Sequence, residues 1–194
     1  MSTRRFRIEW KGTSDVLTAI EPTLGEVRAH ARALAAAYND EHNRAMMGHD
    51  PMTEDDVIEY FADMARDGGR AFLLLRDGAL AGDGDLRRIA DGAAELAIMI
   101  AARDTQGRGL GTRFATMLHA FAFRVLDLRR IYVGIVPANL ASRRLFEKLG
   151  YRVDDSPAAR AYADEETDVT MSVERSAFEA AHAAALDQIA IAER

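Results

Sequence analysis

A glycine-rich loop that runs without interruption into an amphipathic helix is the feature that most restricts the fold of this sequence. Glycines occupy positions 107, 109 and 111 of the segment TQGRGLGTRFATMLHAFAF, residues 105–123. Glycine adopts positive φ easily and lets a ligand approach the backbone. The first N–H groups of a helix have no partner within the helix, and the helix dipole adds about half a positive charge there. The segment therefore predicts a helix N-terminus that can bind an anion such as a phosphate.

Two other glycine-loop motifs fit this segment less well. The phosphate-binding loop of nucleotide hydrolases ends in glycine and lysine, but the only lysines of this chain are Lys11 and Lys148. The dinucleotide fingerprint G-x-G-x-x-G follows a buried parallel strand, whereas this loop has the spacing G-x-G-x-G and follows a predicted hairpin. From the loop alone, the alternative that it is a glycine-rich connection that binds no ligand stays open.

Short apolar runs and longer amphipathic stretches predict a mixture of strands and helices. The dipeptides Asp77-Gly78 and Asp91-Gly92 separate three apolar runs, so we expect an antiparallel meander with tight turns. Thr53 precedes three acidic residues and is expected to cap a helix that ends near residues 67–69. The predicted elements are a helix over 24–38, a helix from 53 to about 67, strands over 71–76, 79–89 and 94–101, a helix over 109–127, a strand over 130–136, a helix over 139–148 and a strand pair within 151–173.

The last residues of the chain predict an additional helix. We expect residues 1–175 to form a single domain and residues 176–194 to form a helical extension that packs on it or on a partner subunit. The apolar stripe of this extension needs a surface, so it is expected to cover a sheet edge or to form a dimer contact. The protein is accordingly expected to be a monomer or a homodimer. The stripe consists of Phe178, His182, Leu186 and Ile189.

Two motifs in register resemble those of the GNAT superfamily of acyl-CoA N-acyltransferases. The loop QGRGLG, residues 106–111, is similar to the family signature Q/R-x-x-G-x-G/A. The segment RRIYVGIVPANLASRRLFEKLGYR resembles the second family motif, which is a strand, an asparagine and a helix that ends in E-K-L-G-F/Y. Together the motifs cover about residues 70–173. The form N-x-x-S…E-K-L-G, with the upstream patterns ND and P-x-T-x-x-D, looks most like the ribosomal-protein alanine acetyltransferase subgroup.

This resemblance implies both a fold and a co-substrate. The implied fold is α/β (α+β): a central mixed, mostly antiparallel sheet with flanking helices, splayed between its fourth and fifth strands, which match 94–101 and 130–136. Acetyl-CoA is the implied co-substrate. Its pyrophosphate would bind the backbone of the glycine loop, and its pantetheine amides would pair with the strand at the splay as an added strand does. The residues implied in CoA binding are Ile98, Met99, Ile100, Ala101, Gln106, Gly107, Arg108, Gly109, Leu110, Gly111, Thr112, Asn139, Ser142, Arg144 and Phe146.

The resemblance also implies direct transfer of the acetyl group from the thioester to a primary amine. Such a reaction needs a base, and Glu95 is the candidate. A glutamate at this spacing from Gln106 acts as the base in the histone-acetyltransferase branch, and an apolar cleft would raise its pKa towards a useful value. The alternative is an exposed glutamate at the edge of a strand.

The general acid stays open at this point. Many family members place a tyrosine where this chain has Phe146, and phenylalanine has no proton to give. Ser142, one helical turn earlier, is a candidate that serves equally well in helix packing. A bound water, Tyr151 and Tyr162 are further alternatives, although Tyr151 fills a position of the family that usually packs in the core. His119 lies among apolar residues of its predicted helix and is expected to be an interior histidine.

Composition restricts the partners of the protein. The chain has 25 Lys and Arg against 31 Asp and Glu, a formal net charge of −6, which favours a cationic acceptor over nucleic acid. Acidic patches at Glu54–Asp56 and Asp164–Glu166 suit such an acceptor. The chain has no cysteine, which fits a cytoplasmic protein and excludes thiolate ligands, and no histidine cluster has zinc spacing, so no metal site is expected. No apolar run has the length of about 18–20 residues that spans a membrane, and no apolar segment suggests a secretion signal.

Three functional hypotheses fit these observations. The first is an N-acetyltransferase that uses acetyl-CoA and acts on a protein N-terminus or a small-molecule amine. The second is a non-catalytic CoA-binding sensor or regulatory module of the same fold, which the phenylalanine at position 146 favours. The third is a structural α/β domain whose glycine loop binds no CoA.

Overall fold

The computed structural model describes residues 4–12, 14–101 and 109–194 of the protein. Within those ranges the chain forms nine strands and seven helices. The strands are β1 (Phe6–Lys11), β2 (Val16–Ile20), β3 (Arg70–Arg76), β4 (Ala79–Ala90), β5 (Ala93–Ile100), β6 (Arg130–Ile135), β7 (Arg152–Val153), β8 (Val169–Glu174) and β9 (Ile189–Glu193). The helices are α1 (Leu24–Tyr38), α2 (Glu41–Met47), α3 (Glu54–Arg66), α4 (Leu110–Arg124), α5 (Leu140–Lys148), α6 (Pro157–Arg160) and α7 (Arg175–Leu186).

All nine described strands form one sheet in the order β7-β8-β6-β5-β4-β3-β2-β1-β9. β5 and β6 run parallel, and every other neighbouring pair in this sheet is antiparallel. The expected mixed and mostly antiparallel sheet with flanking helices is therefore confirmed. The meander turns at Asp77-Gly78 and Asp91-Gly92, as predicted, and all four residues have the positive φ that a two-residue hairpin turn requires.

β5 and β6 separate after a short stretch of pairing. Among the described residues their ladder covers only Ala93–Glu95 and Arg130–Tyr132, although β5 continues to Ile100 and β6 to Ile135. The predicted splay between these two strands is thus confirmed. They are the fifth and sixth strands here because β1 and β2 both precede the meander, where the family pattern implied one strand.

Helices cover both faces of the sheet, and successive residues of β3 pack on opposite faces. Phe72 and Leu74 belong to the core that contains α4, whereas Leu73 between them belongs to the core that contains α1 and α3. α1 and α3 each begin with a capping box, and the predicted cap at Thr53 accepts a hydrogen bond from the backbone N–H of Asp56. None of the described helices is both long enough and apolar enough to cross a membrane.

β4 alternates glycine and aspartate in its segment GDGD, residues 82–85. A Cβ on Gly84 would lie 2.9 Å from Cε1 of Phe114 in α4, so glycine permits this helix to pack closely on the sheet. Because successive side chains of a strand point to opposite faces, Asp83 and Asp85 lie on the other face, beneath α1 and α3. One strand therefore serves close packing on one side and polar chemistry on the other.

The helix predicted over residues 176–194 is wrong in its C-terminal part. α7 ends at Leu186, and Ile189, which the apolar stripe placed in the helix, belongs to β9 and pairs with Trp10 of β1 in an antiparallel ladder. The N-terminal part of the segment is helical and packs on α4. There the ring of Phe178 stacks on His119 with 4.2 Å between the ring centroids.

The hairpin of β1 and β2 contacts the beginning of α4. The guanidinium group of Arg113 lies 5.2 Å from the centre of the Trp10 ring and donates a hydrogen bond of 2.6 Å to Asp15. The indole N–H of Trp10 in turn donates to the side chain of Gln188 at 3.0 Å. Trp10 therefore connects the first turns of α4 to the C-terminal segment.

Candidate active site

The gap between β5 and β6 opens into a cavity of about 470 Å³. We call it the central cavity. It is bounded by β4, β5, β6, the segment from α2 to Met52, the beginning of α5 and residues 164–168. Among the described residues, its lining contains six carboxylates against one arginine, Arg87. The acidic residues are Asp83, Asp85, Glu95, Asp164, Glu165 and Asp168.

The glycine loop is only partly within the described residues. Gln106, Gly107 and Arg108 lie outside them, so their roles in CoA binding stay predictions. Gly109 directly precedes α4 with a φ of 82°, a conformation that suits glycine. The first α-helical hydrogen bond runs from the N–H of Arg113 to the carbonyl of Gly109. The N–H groups of residues 110–112 therefore have no partner within the helix, as an anion site at this position requires.

Gly111 lets α4 approach β5 and α5 at the mouth of the gap. A Cβ on this residue would lie 2.9 Å from Cδ1 of Leu145 and 3.6 Å from Cγ1 of Ile100. Ile98 and Met99 line the central cavity on the β5 side, and the backbone N–H of Ala101 donates to the carbonyl of Ala81 on the opposite side of the strand. The N–H groups at the start of α4 therefore lie close to the part of β5 that does not pair with β6. The first fits the pyrophosphate of a CoA molecule, and the second fits its pantetheine arm.

Three of the four CoA-binding residues predicted in and before α5 line the central cavity. They are Asn139, Ser142 and Phe146, whereas Arg144 is exposed on the outside of the helix. The amide oxygen of Asn139 accepts from the backbone N–H of Ser142 at 3.0 Å, and its amide nitrogen donates to the carbonyl of Met46 at 3.0 Å. Asn139 thus caps α5 and also connects that helix to α2.

Glu95 is buried at the point where β5 and β6 separate, with an exposure of only 1%. The alternative of an exposed glutamate at the strand edge is therefore wrong. Arg87 donates to both carboxylate oxygens of Glu95, at 2.9 Å from Nε and 2.7 Å from Nη2. Both carboxylate oxygens are thus occupied by one guanidinium group, which leaves little room for a substrate amine to contact them. The role of Glu95 as the base stays a prediction, and the geometry offers two other carboxylates.

Asp83 and Asp85 were not identified by sequence reasoning. They are 2% and 4% exposed, and both line the central cavity. The hydroxyl of Tyr38 in α1 donates to Oδ2 of Asp83 at 2.5 Å, and the hydroxyl of Tyr60 in α3 donates to Oδ2 of Asp85 at 2.6 Å. The Oδ1 atom of each aspartate has no hydrogen-bond partner among the described residues.

The environment of this aspartate pair changes its proton affinity. Burial raises the pKa of Asp83 from 3.8 to about 7, and the Tyr38 hydrogen bond opposes this only in part. Burial likewise raises the pKa of Asp85 to about 6, with Arg87 as the main opposing influence. A carboxylate with a pKa near 7 can take and release a proton at neutral pH, as a general base must. The signal available in the sequence was the pattern of two acidic residues at alternate positions of a segment, residues 79–86, whose other members are apolar or glycine.

Two tyrosines considered as the general acid have partners of their own. The hydroxyl of Tyr151 lies 2.7 Å from Nε2 of His119 in the core that contains α4. Nδ1 of His119 lies 2.7 Å from the carbonyl of Ala115, so this nitrogen donates and Nε2 accepts from Tyr151. Burial lowers the pKa of His119 to about 4, which makes it a neutral interior histidine, as expected. Tyr162 stacks on Tyr132 with 4.5 Å between ring centroids.

Comparison with known proteins agrees with this geometry. Residues 23–152 match the family model described as the acetyltransferase (GNAT) domain. Because this match extends over more than half of the chain, the protein belongs to the GNAT acetyltransferase family. It is an N-acetyltransferase with acetyl-CoA as its co-substrate. A comparison of the sequence with curated proteins finds no match.

Solved structures share the fold at low sequence identity. RimJ from Mycobacterium smegmatis in complex with CoA-disulfide has a TM-score of 0.71 and 18% identity, with 95% of each chain covered. Aminoglycoside acetyltransferase AAC(6')-Ib in complex with coenzyme A has a TM-score of 0.68 and 21% identity, over 84% of this chain and 98% of that chain. Spermidine N-acetyltransferase from Vibrio cholerae in complex with CoA and spermine has a TM-score of 0.66 and 21% identity, over 84% and 97%.

Proposed function

We propose that the protein acetylates a primary amine that carries additional positive charge, and that Asp83 and Asp85 take the proton from this amine. The observation that carries the proposal is the pair of buried carboxylates in the wall of the central cavity, each with an oxygen that lacks a hydrogen-bond partner among the described residues. An ammonium group has three N–H donors and would satisfy those oxygens. Bound acetyl-CoA supplies the acetyl group in activated form, as a thioester.

The proton affinity of the aspartate pair supports its role as the base. An alkylammonium group with a pKa of about 10.4 must lose its proton at a cost of about 5 kcal/mol at pH 7 before the nitrogen can attack. The pKa of Asp83 is about 7. A carboxylate with an ordinary pKa near 4 binds a proton about three pKa units more weakly and is a correspondingly poorer base. The pair faces one cavity, so its two carboxylates are expected to titrate as a coupled unit.

The charge of the central cavity supports a cationic acceptor. Six lining carboxylates stand against one lining arginine among the described residues. Two of the similar enzymes are named for acceptors with several amino groups, an aminoglycoside and spermidine. We therefore favour a small molecule with two or more cationic nitrogens over a protein N-terminus.

The proposal is tested by supplying acetyl-CoA together with a panel of amines. The panel contains di- and polyamines, aminoglycosides, peptides with a free N-terminus and neutral monoamines. The chain has no cysteine, so CoA released by the reaction can be measured with a thiol reagent without background from the protein. Mass spectrometry of the acceptor confirms the acetylated nitrogen. We expect kcat/KM to be highest for an acceptor with more than one positive charge.

Substitution of the aspartates tests the assignment of the base. Asp83→Asn and Asp85→Asn preserve shape, and loss of a general base lowers kcat by about 10²–10⁴-fold. The wild-type rate should rise with pH through the range of about 6 to 7 in which the pair ionises, and this limb should disappear in the more affected variant. Acetyl-CoA binding, measured by calorimetry, should be unchanged. Full activity in both variants would return the role to Glu95, and CoA binding without acetylation of any amine would favour the sensor hypothesis.

Location, domain extent and oligomeric state remain part of the proposal. The absence of cysteine supports a cytoplasmic protein. The packing of α7 on α4 and the pairing of β9 with β1 support a C-terminal segment that belongs to the same body as residues 1–175. Size-exclusion chromatography with light scattering distinguishes the monomer from the homodimer.

A further inference from the structure

A β-bulge interrupts β4 at the edge of the central cavity. Arg87 pairs with Glu95 and Ala90 pairs with Ala93, so that residues 88 and 89 of β4 stand opposite the single residue 94 of β5. Arg88 has a φ of 52°, a left-handed conformation that is unfavourable for a residue other than glycine. Such a residue persists only where its surroundings hold it, and bulges of this kind often redirect a side chain.

The bulge brings two consecutive arginines to the same two carboxylates. In a regular strand neighbouring side chains would point to opposite faces. Here Nη1 of Arg88 lies 3.4 Å from Oε2 of Glu95, the carboxylate that Arg87 also binds. Nη2 of Arg88 donates to Oδ1 of Asp164, and Nη2 of Arg87 donates to Oδ2 of the same residue at 2.8 Å. Asp164 is thus bound through both oxygens, by one arginine at each.

Asp164 belongs to a segment that forms one wall of the central cavity. We call residues 161–168 the acidic loop. Its Asp164, Glu165 and Asp168 line the cavity, and Oδ2 of Asp168 accepts from the backbone N–H groups of the other two at 3.2 Å and 3.1 Å. The stacking of Tyr162 on Tyr132 holds the other end of the loop against β6. The loop is therefore internally folded. Its connection to β4 runs through the two arginines: both bind Asp164, and Nη1 of Arg88 also donates to the carbonyl of Ala161 at 3.5 Å.

We infer that Arg88 is a positioning residue for the acceptor amine: its left-handed conformation completes a two-arginine clamp that fixes the acidic loop as a wall of the acceptor site. The expected effect on the KM for the amine rests on the proposed function. The clamp itself is present in the free protein and can be tested without a substrate. Arg87 alone would have to share its charge between the buried Glu95 and the loop. With Arg88 present, Glu95 keeps its bidentate partner while Asp164 remains held.

The clamp is partly exposed, so we expect it to position the loop and to contribute little to the stability of the fold. The side chains of Arg88 and Asp164 are 39% and 52% exposed, and exposed ion pairs contribute little to folding. A contact of this kind can still favour one conformation of a loop, because the conformations of a loop differ little in free energy. The effect should therefore appear in acceptor binding and in local exchange, and hardly in the melting temperature.

Three variants of the clamp separate its side chains from its backbone. Arg88→Ala removes the guanidinium group and keeps the left-handed strain, Arg88→Gly removes the guanidinium group and relieves the strain, and Asp164→Asn keeps the shape of the loop residue without its charge. We expect each to raise KM for the amine about 10-fold, a change equivalent to about 1.4 kcal/mol, with kcat and the KM for acetyl-CoA within about 2-fold of wild type. The double variant R88A/D164N should be less impaired than the sum of the two single effects, because both substitutions remove the Arg88–Asp164 pair.

Hydrogen exchange of the free protein tests the clamp without any substrate. The amides of Asp164 and Glu165 are protected by Asp168, and we expect them to exchange about 10-fold faster in all three variants. Arg66→Ala is the matched control, since it removes an exposed pair with Asp63 on α3, and it should change neither exchange nor KM.

The outcomes of these experiments distinguish failure of the clamp from failure of the proposed function. Wild-type KM and wild-type exchange in Arg88→Gly would overturn the clamp, because the side chain would then be dispensable. Faster exchange in the loop without any amine being acetylated by the wild type would leave the clamp standing and overturn the proposed function. Unchanged exchange with a raised KM would also overturn the clamp, since Arg88 would then act on the acceptor directly. If the Arg88 variants do not fold, Asp164→Asn alone decides between these outcomes.

Discussion

Asp83 and Asp85 are each held in the interior by a tyrosine hydroxyl that comes from a different helix. A buried carboxylate without a cation against it is costly in its charged form, so burial favours the protonated state and raises the pKa. Asp85 differs from Asp83 because Arg87 lies close enough to favour its charged form. The two neighbours on one strand are therefore expected to ionise at different pH values.

This burial predicts how the stability of the protein depends on pH. The pKa of Asp83 is raised from 3.8 to about 7 in the folded protein, so its stabilising contribution is complete below pH 4 and is lost as pH rises to about 7. The variant Asp83→Asn has no carboxylate at this position and should not lose stability in this way. The difference in unfolding free energy, variant minus wild type, should therefore increase between pH 4 and pH 8 by an amount on the order of 4 kcal/mol. Denaturant titrations at several pH values measure this difference.

An exposed aspartate provides the control for that experiment. Asp67 lies at the C-terminal end of α3 and is exposed to solvent, so Asp67→Asn makes the same chemical change outside the buried site and serves as the reference variant at each pH. A free-energy difference between wild type and Asp83→Asn that stays constant from pH 4 to pH 8 would contradict the raised pKa.

Tyr151 offers a second prediction at the scale of one side chain. Tyr151→Phe removes the donor to Nε2 of His119, and the buried acceptor left unpaired should cost about 1–3 kcal/mol of stability. Because Tyr151 lies in the core that contains α4, we expect kcat to stay within about 2-fold of wild type. Thermal melts and steady-state rates on the same samples measure both quantities. A large fall in kcat with normal acetyl-CoA binding would instead identify Tyr151 as the general acid.

The sequence predicts more residues on the CoA side of the site than on the acceptor side. The glycine loop and the Asn139 motif are local patterns, and a local pattern is visible in one stretch of chain. The environment of Asp83 depends on Tyr38, which lies 45 residues away. An acidic residue in a strand is ordinarily expected to face solvent, and only the packing of α1 and α3 over β4 reverses this expectation.

Among the elements, β4 carries the most demanding local requirements. Its glycines lie beneath α4 and its aspartates beneath α1 and α3, so the two faces of one strand serve different purposes. A Cβ on Gly84 would lie 2.7 Å from the carbonyl oxygen of Ala97 and 2.9 Å from Phe114. The first of these neighbours is backbone and cannot move aside without displacing β5.

Substitution of Gly84 tests this packing against a glycine that has space. Gly84→Ala should cost about 1–3 kcal/mol through forced movement of β5 and α4. Gly25 in α1 has no heavy atom closer than Thr23 Oγ1 at 3.8 Å, so Gly25→Ala should stabilise the protein by about 0.4–1 kcal/mol. Unfolding free energies of the two variants give the comparison. Equal effects of the two substitutions would contradict the close approach at β4.

The elements differ in how well their sequences specify them. The meander was predicted correctly because the dipeptides Asp77-Gly78 and Asp91-Gly92 require the turn conformations that they adopt. Neither β1 nor β2 was assigned from the sequence. The sequence of β1, FRIEWK, does alternate apolar and charged residues as a half-buried strand does, whereas β2 is a short run of five residues without such an alternation. β9 was taken for helix because alanine-rich periodicity continues into it, and its strand conformation depends on pairing with β1, which lies at the other end of the chain.

At the scale of the whole molecule, the sheet extends beyond the range that matches the family model. That match covers residues 23–152, whereas β1, β2, α6, β8, α7 and β9 lie outside it. The acidic loop between α6 and β8 lines the central cavity directly, and the β1–β2 hairpin and α7 act on the site through α4. The β1–β2 hairpin contacts Arg113 at the start of α4, and Phe178 of α7 packs on His119 in the same helix. The helix that follows the glycine loop is therefore supported from both of these directions.

The contact between Trp10 and Arg113 gives the protein a built-in optical reporter. Trp10 is the only tryptophan of the chain, and its ring lies beneath a guanidinium group in the first turns of α4. Emission from this indole depends on the position of the nearby charge, and a CoA pyrophosphate bound at the helix start would act on that charge. We expect acetyl-CoA to change the intrinsic fluorescence saturably, so that affinity can be measured without any label. The Asp83→Asn variant should give the same titration curve as wild type, because its substitution lies on the opposite face of the sheet from α4.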